Sequence, residues 1–512
     1  MGAIQFTWND YVLVLPITLL ALFAIGILLI DLMIPPEQKW MNAVTAMFGV
    51  AFSAAAIWNP VKPGILTYLT DRRTPGHAAM ANSMLVDRFA LYFFYLFLGA
   101  TAISILMSVR YMKTEHENHG EYYALMLLSV VGMMCMASGF DIVLIFIGLE
   151  LMAISTYVLV GFLRRDRRSN EAALKYLLLG AFSSGIFAYG LSLLYGLTGS
   201  TNLGAISHQL AQLLARDPHN PVAIVALLTT ITGLLFKIAA VPFHQWAPDA
   251  YEGAPTSITG FMSVAVKAAG WAMLLRILLW GLLPMRSTWV PVLVFVSIAT
   301  MTGANFAALT QTNTKRLLAY SSIAHVGYML LGLIAGTLTQ LSPDGIKGIL
   351  IYLLVYTFMN LGAFGVITSL RHRNVIGDEL DDLNGLYSRA PVEAVLMLIF
   401  LLSLAGIPPL AGFYGKYFIF LSLIETGHYA LASLGVLYSV FGLYYYLKMA
   451  NAMFMGEPEE RGVLPVSWTM RAALAVTAFA TLFIGIMPDR FIHIVNWSLG
   501  IAQNPAVAKL IH

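Results

Sequence analysis

The sequence predicts an all-α, polytopic membrane protein. Of its 512 residues, 59% are hydrophobic and only 11% are charged. Apolar stretches of about 20 residues, the length that crosses a bilayer as a helix, recur from end to end. Short segments rich in charged and turn-forming residues separate them. Composition and spacing together predict about fourteen transmembrane helices.

The predicted spans are bounded by these polar and turn-forming segments. The longest connecting segment, 59–88, is interrupted by Pro and Gly and has no helical pattern, so we expect a single membrane domain. The approximate span cores are 11–33, 41–59, 89–109, 121–139, 141–163, 171–197, 221–253, 256–283, 289–309, 317–338, 346–370, 391–425, 428–453 and 468–488.

The distribution of basic residues predicts the orientation. Loops that follow odd-numbered spans carry most of the Lys and Arg, and such loops usually face the cytoplasm. Because the number of spans is even, both termini are expected on the outer side. The residues concerned are Arg110, Lys113, Arg164, Arg165, Arg167, Arg168, Lys315, Arg316, Arg371, Arg373 and Arg389. Residues 1–11 lack the features of a cleaved signal peptide, so the first span is expected to be retained.

Charge and cysteine content exclude several functions. The formal net charge of +3 is small and the basic residues are dispersed, which does not favour nucleic-acid binding. Cys135 is the single cysteine of the chain, so an internal disulfide and an iron–sulfur cluster held by this chain alone are both excluded. Any redox centres must therefore reside on partner proteins.

Four ionisable residues lie within apolar spans: Glu150, Lys237, Lys267 and Lys416. A charge at the bilayer centre costs roughly 2.5–3.5 kcal/mol on insertion scales, and an ion or proton path is the first hypothesis for such a residue. Counted from their span starts, Glu150 and Lys267 lie about 14–17 Å deep, halfway through a core of roughly 30 Å. A purely structural ion pair is the alternative.

Two predicted spans are interrupted beside a lysine. Pro242 and Pro248 fall within 234–253, and several Gly and Pro residues fall within 402–420. Irregular backbone at membrane depth survives only where it is buried in protein or lines a cavity, and paired interruptions indicate inverted repeats. We therefore predict two inverted five-helix repeats, each with one discontinuous helix. The predicted divisions are 1–120, a three-helix segment; 121–283, the first repeat; 284–453, the second repeat; and 454–512, the last span and tail.

The buried charges suggest a mechanism. Glu150 near Lys237 would form a pair whose affinity for a proton depends on their separation. Separation would release the proton and closure would reload the lysine. Lys267 and His325 could then pass the proton, through water, to Lys416.

Other ionisable residues leave alternatives open. Lys175 and Lys315 follow charged loops, so each is either an interfacial anchor or a relay. His325 is either a relay or a hydrogen-bonded core histidine. Asp249 and Glu252 fit loop capping better than proton relay.

Several polar and aromatic residues have structural interpretations. Asp141 opens its span and is expected to be its N-cap. His244 and Trp246 lie in an interrupted helix and could bridge freed backbone groups. The run Tyr444–Tyr446 is expected to pack against lipid and core.

Several motifs carry a family resemblance. The stretch 236–256, FKIAAVPFHQWAPDAYEGAPT, and the following FMSVAVK of 261–267 resemble the antiporter-like subunits of respiratory complex I. The motifs GLEL at 148–151, KRLLAYSSIAH at 315–325 and GFYGK at 412–416 occur in the family's order and spacing. The resemblance covers spans four to thirteen.

Within that family the chain resembles subunit N. Tyr251-Glu-Gly after Pro-Asp is similar to subunit N, whereas the two other large antiporter-like subunits more often carry His in that region. Lys416 in place of a glutamate argues against subunit M. An end near residue 512, with no long lateral helix, argues against subunit L.

The resemblance implies a role in proton translocation by an NADH (or ferredoxin):quinone oxidoreductase, with this chain as one subunit of the enzyme. It implies a bacterial cytoplasmic membrane, other membrane-arm subunits as partners, and flavin, iron–sulfur clusters and quinone site on those partners rather than on this chain. An Mrp-type cation/proton antiporter subunit and a non-transporting scaffold are the alternatives. The implied proton-path residues are Glu150, Lys237, Lys267 and Lys416, with Lys175, His325 and Lys315 as accessory residues.

Overall fold

The computed structural model describes residues 8–58, 77–337, 343–371, 378–457 and 466–499. Within these residues the chain forms nineteen helices and one two-stranded hairpin. The hairpin pairs β1 (His77–Ala79) with β2 (Met84–Val86) in antiparallel register, with Ala78 opposite Leu85. The all-α prediction is confirmed.

The helices follow the predicted spans closely. They are α1 (Trp8–Asp31), α2 (Met41–Trp58), α3 (Arg88–Thr114), α4 (Gly120–Ser138), α5 (Ile142–Val160), α6 (Arg167–Thr198), α7 (Leu203–Arg216), α8 (Pro221–Ile238), α9 (Trp246–Gly253), α10 (Thr256–Gly281), α11 (Arg286–Leu309), α12 (Thr314–Ala335), α13 (Pro343–Leu370), α14 (Leu386–Arg389), α15 (Pro391–Ala405), α16 (Ala411–Glu425), α17 (Tyr429–Met455), α18 (Trp468–Ile486) and α19 (Pro488–Ser498).

Length and composition support the membrane assignment. In the described part of the chain, twelve helices are long and apolar enough to cross a membrane, and α2 and α15 contain shorter apolar stretches. The predicted spans 221–253 and 391–425 each divide into two helices, as the prolines and glycines indicated. The amphipathic helix α7 between two spans was not predicted.

Polar residues fix where several helices begin. The side chain of Asp141 accepts a hydrogen bond from the backbone N–H of Val143 at 2.8 Å, so its predicted role as N-cap of α5 is confirmed. Asp166 caps α6 and Asn313 caps α12 in the same way. Such caps satisfy backbone donors that the first helical turn leaves free.

Helix α10 forms the centre of the bundle. Its apolar stretch is buried along its whole length, whereas only about a third of the apolar stretch is buried in α6 and in α17. It contains two π-helical turns, Met262–Val266 and Ile277–Gly281, which flank the α-helical segment Lys267–Arg276. The helix most shielded from lipid therefore carries Lys267.

A buried ion pair ties α10 to the N-terminal segment. The Arg276 guanidinium donates to the Asp87 carboxylate at 2.7 and 2.5 Å and lies over the Phe89 ring. Asp87 also caps α3 by accepting from the Ala90 N–H at 2.8 Å. Fully buried and paired, Arg276 satisfies the condition under which a charge is tolerated away from water.

Candidate functional site

The first helix break lies between α8 and α9. Helix α8 ends at Ile238, and Ala239 takes a left-handed conformation with φ of 60°. Its N–H donates to the Phe236 carbonyl, and the Ala240 N–H donates to the Leu235 carbonyl, which closes the helix end. Trp246 Nε1 also donates to the Phe236 carbonyl at 2.9 Å, so the bridging role predicted for Trp246 is confirmed. His244 Nδ1, by contrast, is buried with no hydrogen-bond partner in the described part of the chain, so the same prediction fails for this atom.

Lys237 lies in the last turn before this break. Its side chain is buried, with Nζ 5.8 Å from the centroid of the Tyr157 ring and 5.9 Å from that of Tyr176. Within the described residues, Nζ donates no hydrogen bond. Two aromatic faces therefore provide the nearest stabilisation of the ammonium group. Sequence reasoning missed both tyrosines because they lie on other helices.

Glu150 on α5 faces Lys237 across a gap. The two side chains interact electrostatically, yet no ion pair within 4.0 Å joins them. Glu150 Oε1 is buried and has no hydrogen-bond partner in the described part of the chain. The two side chains of the predicted pair thus interact through space without direct contact, and the strength of such an interaction depends on the distance between the two groups.

Lys267 stands at the first position after the π-helical turn Met262–Val266 of α10. Its Nζ donates to the Ser322 backbone carbonyl at 3.0 Å and to the Ser322 hydroxyl on α12. A π turn inserts one extra residue into a helix and often marks a functional position. This contact brings α10 and α12 together at a buried ammonium group.

His325 lies one turn further along α12 with both ring nitrogens hydrogen-bonded. Nδ1 pairs with the Tyr352 hydroxyl and Nε2 with the Tyr446 hydroxyl at 3.0 Å, while Tyr446 also pairs with the Ser321 hydroxyl. The packing role predicted for Tyr446 was therefore incomplete. Each of these groups can both donate and accept a hydrogen bond, so the cluster suits either a satisfied core histidine or a relay.

The second helix break lies between α15 and α16. Helix α15 ends at Ala405, and Gly406 adopts φ of 87° with its N–H donating to the Ser403 carbonyl at 2.9 Å. A Cβ added to Gly412 would lie 1.7 Å from that carbonyl oxygen. The glycine is therefore required for the second segment to approach the end of the first.

Lys416 on α16 reaches back to this break. Its buried Nζ donates to the Ala405 carbonyl at 2.8 Å and to the Ser439 hydroxyl at 2.7 Å. It also lies 5.2 Å from the centroid of the Tyr328 ring, which contacts His325. A groove of about 360 Å³, lined mainly by apolar residues of α16 and α17, adjoins Lys416.

Lys175 lies apart from this line of buried groups. Its side chain is 47% exposed and pairs with Glu171 at 2.9 Å and Asp249 at 3.0 Å. This exposure fits the interfacial anchor better than the relay. Arg316 binds Asp249 at 2.7 Å and Glu252 at 2.8 Å, so these two carboxylates join α9 to α12 by ion pairs rather than capping a loop.

Lys315 is buried at the start of α12. It pairs with Asp378 at 3.3 Å and donates to the Ala254 carbonyl at 3.1 Å. Asp378 and Ala254 lie in segments between helices, and neither is among the groups that contact Lys267. The structure therefore separates Lys175 and Lys315 from the central groups Lys237, Lys267, His325 and Lys416.

A multi-pass helical bundle with two interrupted helices and buried ionisable groups has the features of an ion-translocating membrane protein. Residues 138–442 match the family described as NADH:quinone oxidoreductase/Mrp antiporter, transmembrane. The chain belongs to this family, which confirms the resemblance found in the sequence.

Relatives extend the similarity over nearly the whole chain. It is 63% identical to NADH-quinone oxidoreductase subunit N 1 of Koribacter versatilis, covering 98% of both chains. A chain of respiratory complex I from Thermus thermophilus with bound aureothin superposes with a TM-score of 0.76 at 31% identity, covering 93% of this chain and 98% of that one. A chain of the Mrp complex from Dietzia sp. gives 0.84 at 21% identity, covering 98% and 99%, which reflects the shared fold alone.

Proposed function

We propose that this chain is a proton-translocating membrane subunit of an NADH:quinone oxidoreductase, of the subunit N type. The single observation that carries the assignment is the 63% identity over 98% of both chains to a relative of that name. The enzyme's electrons would move through partner subunits, which would hold the flavin, the iron–sulfur clusters and the quinone site. This chain would assemble with the other membrane-arm subunits in a bacterial cytoplasmic membrane.

The proton path in this proposal begins at Glu150 and Lys237. At an effective dielectric constant of 20, two unit charges attract by about 4 kcal/mol at 4 Å and about 2 kcal/mol at 8 Å. Doubling that separation would therefore change the protonation equilibrium of Lys237 by roughly 30-fold. A small movement of α5 relative to α8 would thus load or unload the lysine.

The path continues through groups on α10, α12 and α16. Lys267 would receive the proton beside Ser322, and His325, with its tyrosine partners, would carry it toward Lys416. The hydroxyls that contact these groups support this order because each can donate and accept in turn. Lys175 and Lys315 would stabilise the helix ends rather than carry protons.

The arrangement in the membrane forms part of the proposal. The basic residues after odd-numbered spans support both termini on the periplasmic side. Ala239 and Gly406 each follow the end of an interrupted helix and adopt a left-handed backbone conformation, which supports two inverted repeats. The repeats would be 121–283 and 284–453, with the three-helix segment 1–120 before them and 454–512 after them.

Two substitutions at Lys267 test whether this group carries a proton. Lys267→Arg keeps a positive charge and hydrogen-bond donors but cannot release its proton, whereas Lys267→Met removes all three properties. A relay predicts that both variants of the intact complex lose proton pumping in proteoliposomes by about tenfold or more. A structural charge in a non-transporting scaffold predicts that Arg retains pumping and Met alone fails.

A matched control is available on the same chain. Lys448 on α17 lies outside the proposed path, with Nζ donating to the Gln311 carbonyl at 3.4 Å. Lys448→Met should leave pumping unchanged. Equal losses in all three variants would show that the assay reports damage to assembly rather than proton transfer.

An Mrp-type cation/proton antiporter subunit is the second candidate, favoured by the fold it shares with the Dietzia chain. The subunit composition of the complex isolated in mild detergent separates the two. Co-purification with iron–sulfur and flavin subunits supports the oxidoreductase. Isolation without them, together with sodium/proton exchange in vesicles, would support the antiporter.

A further inference from the structure

A second cavity opens at one end of the bundle, away from the buried lysines. It has a volume of about 950 Å³ and is formed by the α1–α2 loop, the α3–α4 junction and the start of α18. Its lining combines cations with indole rings. Those that matter here are Lys39, Trp40, Arg110, Lys113, His119 and Trp468.

Two of these cations have no acidic partner in the described part of the chain. Lys39 is held by Asp31 at 2.7 Å, and His119 lies 3.3 Å from Glu117. Arg110 and Lys113, which follow each other by one helical turn at the end of α3, make no such ion pair. Their charges face the cavity, where Glu37 is the acidic lining residue.

The tryptophans indicate the depth of this cavity in the membrane. Trp40 is 53% exposed and Trp468 is 79% exposed, and both border the opening. Exposed tryptophan is typical of the layer where lipid headgroups lie, because its ring is apolar and its N–H is polar. Leu32 and Met33, each 85% exposed, extend the α1 end of the same region with apolar surface.

We propose that this cavity binds the phosphate group of an anionic phospholipid. Arg110 and Lys113 would bind the phosphate oxygens, and the indoles of Trp40 and Trp468 would lie beside the glycerol and upper acyl chains. Basic cavities between helix ends are the places where membrane proteins select anionic headgroups. The first turn of α18, capped by Ser467, adds the positive end of a helix dipole.

The lipid source is favoured over free phosphate by the surroundings. A soluble anion needs the cations alone, whereas here exposed apolar and indole side chains adjoin them. A zwitterionic phospholipid would bring its own cation into a site that already holds unpaired positive charge. Selection of net negative headgroups therefore follows from the charge of the lining.

The test uses the intact complex and two photoactivatable lipids with identical acyl chains, phosphatidylglycerol and phosphatidylcholine. After illumination, labelled peptides of this chain are mapped by mass spectrometry. We expect phosphatidylglycerol to label the segments 32–40 and 110–119 in preference to phosphatidylcholine. Each basic group near an anionic headgroup contributes roughly a fivefold factor, so Arg110→Gln with Lys113→Gln should weaken labelling by about 25-fold.

The control pair is Arg164→Gln with Arg165→Gln. Both arginines are exposed in the α5–α6 loop and line no part of this cavity, so labelling should be unchanged. Equal labelling by the two lipids, or displacement by excess inorganic phosphate, would overturn the proposal. So would absence of label from the cavity of the unsubstituted chain, since a partner subunit would then occupy it. These comparisons on the unsubstituted chain hold even if the double variant fails to assemble.

Discussion

The two helix breaks use the same backbone device and treat their lysines differently. At the first break, Lys237 precedes the left-handed residue Ala239, and its ammonium group has aromatic neighbours but no hydrogen-bond partner among the described residues. At the second, Lys416 follows the left-handed Gly406 and donates to Ala405, a carbonyl at the very end of the interrupted helix. Lys237, with ring neighbours alone, is the loosely held lysine, and Lys416, with its hydrogen bonds, is the fixed lysine.

An interrupted helix can supply a hydrogen-bond acceptor to a buried cation. A helix end leaves carbonyls without intrahelical partners, and such a carbonyl is a ready acceptor for an ammonium group. Lys416 uses it and needs no carboxylate. Lys237 does not, so its charge depends on Glu150 and on the distance to it. In the proposed path, the first break would therefore suit a variable proton affinity and the second a constant one.

The greatest loss of proton flux is expected at Lys237 and its neighbour Glu150. Lys237→Ala and Glu150→Gln should each reduce proton flux by about tenfold or more, because each removes one member of a coupled buried pair. The two combined should be no worse than either alone, as for groups that act on one step. Flux in proteoliposomes containing the purified complex measures this.

The fixed lysine gives a second test. Lys416→Ala should also lower flux, and Glu150→Gln combined with Lys416→Ala should give the flux of the slower single variant, because the proposed path passes through both groups in series and the slower step limits it. Multiplying losses in the Glu150–Lys237 combination would mean that the carboxylate and its lysine act independently.

A smaller loss of flux is expected from a substitution at Gly406, and Ala239 at the other break serves for comparison. A Cβ at Gly406 would lie 2.9 Å from Lys416 Cδ and would occupy a conformation that costs an L-residue roughly 1–2 kcal/mol. Gly406→Ala should therefore displace the lysine and lower flux severalfold. The reciprocal change, Ala239→Gly, introduces no atoms and should leave flux and thermal stability close to those of the parent. Equal damage at both sites would show that the backbone, not the lysine contact, is what matters.

A smaller effect is expected from the hydroxyl that helps to fix Lys416. Ser439→Ala removes one hydrogen bond to Nζ and leaves the Ala405 carbonyl in place. A net loss of about 1 kcal/mol corresponds to roughly fivefold lower flux. Ser422→Ala is the matched control, because among the described residues that buried hydroxyl bonds only to the Ile419 carbonyl of its own helix. A silent Ser439→Ala would show that the carbonyl alone suffices.

The smallest effect is expected at Lys175. Its ion pairs are exposed, and such pairs contribute about 0–1 kcal/mol, so Lys175→Met should change flux less than about twofold. Lys267→Met, at a buried position between two helices, should not be tolerated in this way. If the two variants gave equal proton flux in proteoliposomes, burial would not distinguish proton-carrying lysines from lysines that only anchor a helix end.

The span pattern could be predicted from the sequence because bilayer thickness imposes a length on every helix. The ends moved by only a few residues, as in α6, which begins at Arg167 rather than 171. Both helix breaks were predictable because Pro and Gly remove or loosen backbone hydrogen bonds wherever they occur. These signals are local, so neighbouring residues suffice to find them.

The hydrogen-bond partners of Lys267 and His325 could not be predicted. Ser322 is 55 positions from Lys267, and Tyr446 is 121 positions from His325. Serine and threonine hydroxyls can bond to their own helix backbone, so their placement in a membrane helix carries no distinct signature. The Arg276 and Asp87 pair spans 189 positions and was missed for the same reason. Only the packed helices reveal which hydroxyl or carboxylate meets which cation.

The two π-helical turns of α10 determine in which direction around the helix axis the side chains after them point. One inserted residue turns the remainder of a helix by about 100° around its axis. Lys267 owes its aim toward Ser322 to the turn Met262–Val266, and Ile277–Gly281 offsets the helix end again after Arg276. Deleting a single residue from the first turn would rotate the lysine away from α12, while its side chain would stay the same and its depth would change by no more than about 1.5 Å. Loss of one codon would thus change the direction of a charged side chain, which a substitution at that position cannot do without changing the side chain itself.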